Sequence, residues 1–289
     1  MSERAGKRPS GRLAGTFAAA AAEGRRTLVG YLPAGLTPAA TFAAMVDAGV
    51  DVVEVGWPYS DPVIDGPVIQ RAVDRALAAG TTPADVLRTV EAVAGTGVPV
   101  VVMTYWNPVE QYGVDRFAAD LAAAGGAGMI TPDLTPEEAG PWLAAADKQS
   151  LDPVFLVAPS STDERVARIA ALCRGFVYAT SVLGVTGARA QTSAVAPALV
   201  ARVRRVTDLP VGVGLGVSDG GQAAEVAGYA DGVIVGSAFV RAVLDAGSDA
   251  AAARAVAALA ADLAGGVRRP VPRPEPAAEP PGAPGLDGV

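Results

Sequence analysis

One pattern repeats along most of the chain: a short run rich in Val and Ile, then an alanine-rich stretch with helical spacing. The apolar runs are Leu28–Leu32, Val52–Val55, Val98–Met103, Gly128–Thr131, Pro153–Val157, Gly175–Ala179, Val211–Gly214 and Gly232–Val235. Helical patterns follow each one, among them Pro38–Ala48, Val68–Ala79, Val114–Ala124, Pro136–Ala146, Thr162–Leu172, Val195–Val206, Asp219–Tyr229 and Phe239–Ala246. Runs that are apolar at nearly every position suit strands covered by helices on both faces. Helix starts are marked by Asp115, by Thr135 with Pro136, by Ser161–Glu164 and by Ser218–Asp219. Eight such units in about 240 residues predict a single-domain α/β protein, a (β/α)8 TIM barrel. A doubly wound sheet is the alternative. It needs a glycine-rich dinucleotide turn after the first strand, where this chain has Pro33-Ala34-Gly35-Leu36.

The ends differ from the middle. Residues 1–9 read as a flexible start. A basic and then alanine-rich segment follows. Its apolar part, Leu13–Ala22, is short, weakly hydrophobic and followed by Glu23, Arg25 and Arg26. That favours an amphipathic lead-in helix over a signal peptide. No segment approaches 18 strongly apolar residues, so no membrane span is expected and a cytoplasmic location is. Residues 266–289 hold seven prolines and no periodicity, and read as a disordered tail. The working domain is therefore placed at residues 10–265.

Composition narrows the chemistry. The chain has no histidine, which removes Ser-His-Asp and Cys-His mechanisms, imidazole acid–base work and histidine-ligated metals. Its single cysteine, Cys173, cannot form an internal disulfide or a thiolate cluster. Lys7 and Lys148 are the only lysines, so a Schiff base has few candidates. Thirty acidic against 23 basic side chains give a formal charge of −7, which disfavours binding to a nucleic-acid backbone.

In a barrel the chemistry sits at the C-terminal ends of strands. Glu54 stands there, inside the apolar run Val52–Val55. Desolvation would raise its pKa and suit it to pass protons near neutrality. A glutamate paired with an arginine is the structural alternative. The segment Pro58–Pro67 adds Asp61 and Asp65 within three prolines and a glycine, the composition of a shaped loop. Either aspartate could instead cap the helix beginning near Pro67. Glu54, Asp61 and Asp65 could also hold a hard cation, but no further acidic cluster joins them.

A second group of residues suits an anion. Glycines occur at Gly184 and Gly187 after the sixth strand, at Gly212, Gly214 and Gly216 around the seventh, and at Gly236-Ser237 after the eighth, before a short helix. Glycine lets backbone amides approach a ligand, and a helix amino end favours negative charge. Loops after strands seven and eight form the usual phosphate site of such barrels. Ordinary tight turns are the alternative. Tyr31, Met103–Pro108 with Tyr105, Phe155 and Tyr178 lie near strand ends and suggest a pocket for a flat apolar group, with core packing as the plain reading of Phe155. Together these features point to a small phosphate ester with an aromatic part, processed by carboxylates without a cofactor.

Three stretches carry a family resemblance: Leu28–Gly35, the run Glu54–Gln70, and Gly184-Val185-Thr186-Gly187-Ala188-Arg189. They closely resemble the tryptophan synthase alpha subunit, over about residues 10–265 of the chain. The resemblance implies a lyase that cleaves indole-3-glycerol phosphate to indole and glyceraldehyde 3-phosphate. It implies an alpha–beta–beta–alpha complex in which the beta subunit carries pyridoxal phosphate and this chain carries no cofactor. By motif, the family's catalytic pair falls on Glu54 and Asp65. Its substrate-contacting aromatics fall on Tyr31 and Tyr178, beside Tyr105, and its sixth-loop pair falls on Thr186 and Gly187. Its phosphate-binding amides fall on Gly216, Gly236 and Ser237. Asp61, Pro62, Asn107 and Pro108 match the side that meets the beta subunit. Pro33, where many members have threonine, Trp57 beside the expected pocket and the proline-rich tail depart from the pattern. A neighbouring barrel enzyme such as indoleglycerol-phosphate synthase would need a barrel lysine, and neither Lys7 nor Lys148 is placed to serve.

Overall fold

The structure, a computed structural model, describes residues 11–180 and 192–269. Eight parallel strands close into a barrel in chain order: β1 (Thr27–Pro33), β2 (Val52–Gly56), β3 (Val100–Met103), β4 (Gly128–Thr131), β5 (Asp152–Val157), β6 (Val177–Thr180), β7 (Val211–Gly214) and β8 (Gly232–Val235). β1 pairs with both β2 and β8, so no edge remains. The TIM barrel expected from the repeat is the fold found.

Two apolar layers hold it together, and strand alternation divides residues between them. Val29, Val52, Val101, Ile130, Val154, Phe176 and Ile234 fill the inside. Leu28, Val53, Val55, Val102, Met129, Phe155 and Val177 pack outward under the helices. Helix α1 (Arg12–Ala22) closes the amino-terminal end of the barrel. Its Leu13 and Phe17 join the inner cluster, and the Phe17 ring stacks on Phe176 with centroids 5.2 Å apart. The lead-in segment is thus a plug with a buried face.

The outer ring departs from a simple one-helix-per-strand reading. After β1 comes α2 (Ala39–Asp47), but two helices follow β2, α3 (Pro67–Ala78) and α4 (Pro83–Ala94). α4 begins with a capping box in which Thr82 and Asp85 satisfy each other's backbone amides, followed by Pro83. Two more follow β3, α5 (Trp106–Tyr112) and α6 (Val114–Ala123). Gly113, at φ 96°, turns the chain between them and caps α6, so Asp115 lies in the first turn and is not the cap. The next helix, α7 (Gly140–Gln149), starts four residues beyond Pro136. Thr162 caps α8 (Asp163–Leu172), and Asp219 caps α10 (Gly220–Ala227), which follows α9 (Thr192–Arg204). α11 (Ser237–Leu244) comes straight after β8.

The last helix, α12 (Asp249–Val267), corrects one expectation. By length and composition it is apolar enough to cross a membrane, although the sequence reading found no such stretch. Here it lies against α2, α10 and α11 with Val256, Ala260, Leu263 and Ala264 buried. It runs to Val267, which is also buried, past the residue-265 boundary drawn from composition.

Candidate active site

The carboxyl-terminal mouth of the barrel gathers most of the residues singled out in the sequence. Tyr31 and Glu54 are register partners on β1 and β2. Glu54 shares the inward face of β2 with Val52 and is 2% exposed. Its Oε1 has no hydrogen-bond partner, and no ion pair reaches it among the described residues. The arginine-paired alternative therefore does not apply. Burial alone pushes this carboxyl up to about 8. A group so placed keeps its proton near neutrality yet can release it within the accessible range.

Asp65 reaches the same chamber from the loop after β2. It is half-buried. The Tyr105 hydroxyl donates to its Oδ1 at 3.0 Å and accepts from the Ile64 amide at 3.1 Å. Burial raises the Asp65 carboxyl, and the tyrosine hydrogen bond opposes that rise. Asp61 points elsewhere: it is exposed and accepts from the Ser60 hydroxyl at 2.6 Å. Neither aspartate caps α3, whose amino end is Gly66 followed by Pro67. Among the described residues no three metal-ligating side chains converge, so the cation reading of Glu54, Asp61 and Asp65 has no geometric support.

Two inward tyrosines complete the walls. Tyr31 feels Asp65, Glu54, Tyr105 and Tyr178, and Tyr178 feels Glu54, so these groups share one enclosed space. Burial holds both phenols well above their usual range, which makes them hydrogen-bond donors. Two glycines make room for them. A Cβ at Gly56 would sit 2.4 Å from the Tyr31 hydroxyl, and one at Gly214 would sit 2.5 Å from the Tyr178 hydroxyl. Sequence reasoning read the glycines around β7 for a ligand and gave Gly56 no role. The structure assigns Gly56 and Gly214 to aromatic packing.

The glycine after β8 lies beside Tyr31. Gly236 precedes α11, whose amino end has no side-chain cap, so the first amides of the helix lack that partner. Gly236 has φ −116°, and a Cβ there would meet Tyr31 at an ordinary 3.5 Å. Neither its backbone nor its neighbours in the protein demand glycine. Ser237 is the first residue of α11, and Gly216 has φ 69°, a conformation that glycine adopts without strain. Thr186 and Gly187 lie outside the described residues, as does the Gly184–Arg189 motif.

Some aromatics face the other way. Phe155 packs outward in the helix layer, 2% exposed, and does not line the chamber. Trp57, expected beside the pocket, instead packs its ring against Phe117 and Tyr112 of the outer layer, at 5.4 and 6.0 Å. Met103 and Leu156 border the inner cluster instead. On the rim, Asn107 is exposed at the start of α5 and donates to the Tyr59 hydroxyl at 3.2 Å, with Pro108 next to it, while Asp61, Pro62 and the 74%-exposed Val63 form the adjoining loop. One polar residue of this mouth escaped sequence reasoning. Asp133, two residues beyond β4, accepts the Trp106 amide at 2.9 and 3.1 Å. Its position just past a strand's carboxyl end was the available signal.

Comparison with known proteins gives the family and the fold. The family model for the tryptophan synthase alpha chain matches residues 17–267. The tryptophan synthase alpha chain of Acidothermus cellulolyticus is 67% identical over 230 residues, which is 78% of this chain and 86% of that protein. A solved structure of Mycobacterium tuberculosis tryptophan synthase superposes with a TM-score of 0.84 at 53% identity, covering 90% of this chain and 99% of that one. The alpha subunit from Legionella pneumophila superposes with a TM-score of 0.81 at 33% identity, covering 89% and 98%.

Proposed function

The chain belongs to the tryptophan synthase alpha chain family, and on that premise we propose that it cleaves indole-3-glycerol phosphate to indole and glyceraldehyde 3-phosphate by retro-aldol chemistry. The observation that carries this reading is Glu54: a buried, unpaired carboxyl whose proton is held up to about pH 8, in one chamber with Asp65.

Breaking the bond between indole C3 and the glycerol carbon requires C3 to accept a proton first. Protonated Glu54 is the donor. The ring then carries positive charge, and the Asp65 carboxylate accepts the indole N1–H and stabilises it. Glu54, now ionised, takes the proton from the C3′ hydroxyl as the carbon–carbon bond breaks. As the bond breaks, its electron pair returns to the ring and cancels the positive charge, so indole leaves with its N1 proton in place and Asp65 only holds that N1–H by a hydrogen bond. Tyr31, Tyr105 and Tyr178 give the ring an apolar, donor-lined slot. Gly187, Gly216, Gly236 and Ser237 offer amides to the phosphate, and Thr186 contacts the substrate. The rim residues Asp61, Pro62, Asn107 and Pro108 meet a beta subunit, which carries the pyridoxal phosphate and receives the indole.

The test is direct. The purified chain is mixed with indole-3-glycerol phosphate, with and without a cognate beta subunit, and indole release is followed. Release that depends on Glu54 supports the reading. No release in either mixture, from a folded protein, refutes it.

A further inference from the structure

Glu54 and Asp65 are held in different ways. Glu54 belongs to β2, whose ladder with β1 and β3 fixes its backbone. Asp65 belongs to an irregular loop, and strand pairing does not reach it. Two functional groups that must act on one ring need comparable precision. What holds Asp65 has to come from neighbouring loops.

We propose that Tyr105 and Asp133 act in series as positioning residues for Asp65, Tyr105 by gripping the loop and its carboxylate, Asp133 by anchoring the amino end of α5 from which Tyr105 projects. This rests on the proposed reaction only in giving Asp65 an indole N1–H to hold.

The Tyr105 hydroxyl makes two bonds to successive residues of the loop. It accepts the Ile64 amide and donates to Asp65 Oδ1. With Oδ1 occupied, Oδ2 is the oxygen left for an incoming N–H. The ring is 5% exposed and lies 5.4 Å from that of Tyr59, whose hydroxyl is held by Asn107. Tyr105 is the N-cap residue of α5, and its side chain makes no capping bond. A helix start without a cap leaves amides unpaired. Asp133 supplies the missing acceptor from the next loop, with both carboxylate oxygens near the Trp106 amide. The loops after β2, β3 and β4 are thereby tied in one chain of hydrogen bonds that ends on Asp65. Among the described residues, the titratable groups facing Asp65 are Tyr105 at the start of α5 and Tyr31 from β1, with Glu54 of β2 across the chamber.

Three variants separate the roles. Tyr105→Phe keeps the ring and removes the hydroxyl. Asp133→Ala removes the acceptor, and Asp133→Asn restores a neutral one. The first readout is the Asp65 carboxyl titration, followed by carbon-13 NMR in the full chain, which needs no turnover. Loss of the phenolic donor should move it up by at least about half a unit in Tyr105→Phe, with a smaller rise in Asp133→Ala and a return to the wild-type value in Asp133→Asn. The second readout is indole release. kcat should fall roughly tenfold or more in Tyr105→Phe with KM little changed, and Asp133→Asn should recover most of what Asp133→Ala loses. An unshifted Asp65 titration in folded Tyr105→Phe overturns the proposal. A shift there but none in Asp133→Ala overturns the part played by Asp133. A wild-type chain that releases no indole refutes the proposed reaction instead, and the titration still decides the positioning.

Discussion

Replacing Glu54 by Gln separates two consequences of burying an unpaired carboxyl. The side chain keeps its size and loses its proton. A carboxyl whose pKa is raised in the folded state binds its proton more tightly there than in the unfolded chain. The full stability is then present below the unfolded value of 4.5 and is lost as pH rises toward about 8. With a ceiling of about 8, linkage gives a cost of about 1 kcal/mol at pH 5, about 2 at pH 6 and about 4 at pH 8. Gln does not ionise and escapes this loss. The stability of Glu54→Gln relative to wild type should therefore climb by about 3 kcal/mol between pH 5 and pH 8. Any loss of packing from the amide adds an offset that does not vary with pH. Urea unfolding followed by circular dichroism at several pH values measures the gap. Indole release should fall by at least roughly a hundredfold in the same variant, because the amide can neither donate nor reclaim a proton. A gap that stays flat with pH would mean that Glu54 ionises as readily in the fold as in the open chain, and the reasoning from burial would be wrong. Near-normal turnover by the folded variant would remove Glu54 from the chemistry.

At Gly236, where a Cβ would meet Tyr31 first, at 3.5 Å, substitution by Val should weaken binding of indole-3-glycerol phosphate far more than binding of indole if the proposed phosphate site is there; equal weakening of both in calorimetry would make the loop merely structural. Titrating a cognate beta subunit into the chain should raise turnover by at least roughly tenfold, about 1.4 kcal/mol of barrier. A flat titration with complex formation confirmed would point to a chain that produces indole alone. Phe17→Ala, which empties the plug at the far end of the barrel, should cost about 3–5 kcal/mol in unfolding experiments. A cost below about 1 kcal/mol would show that α1 adds little to the inner core.

The repeat of apolar runs and helical stretches was enough to specify eight parallel strands and their closure, because each unit is local and its signal lies within a few residues. The position of Glu54 within β2 and of Gly214 and Gly236 at or just past the ends of β7 and β8 was legible for the same reason. The direction in which a side chain points was not. Strands covered on both faces are apolar on both, so alternation leaves no polar mark to separate inside from outside. Only the closed barrel decided that Tyr31 and Tyr178 face the chamber while Phe155 and Trp57 face the helices. Hydrogen bonds between distant residues were equally invisible. Tyr105 and Asp65 stand 40 positions apart, and Trp106 and Asp133 stand 27 apart. Neither pair has a local signature, because what brings them together is the meeting of neighbouring loops at one end of the barrel. Local chemistry thus supplied the residue types and the architecture, and closure of the barrel chose which of those residues meet.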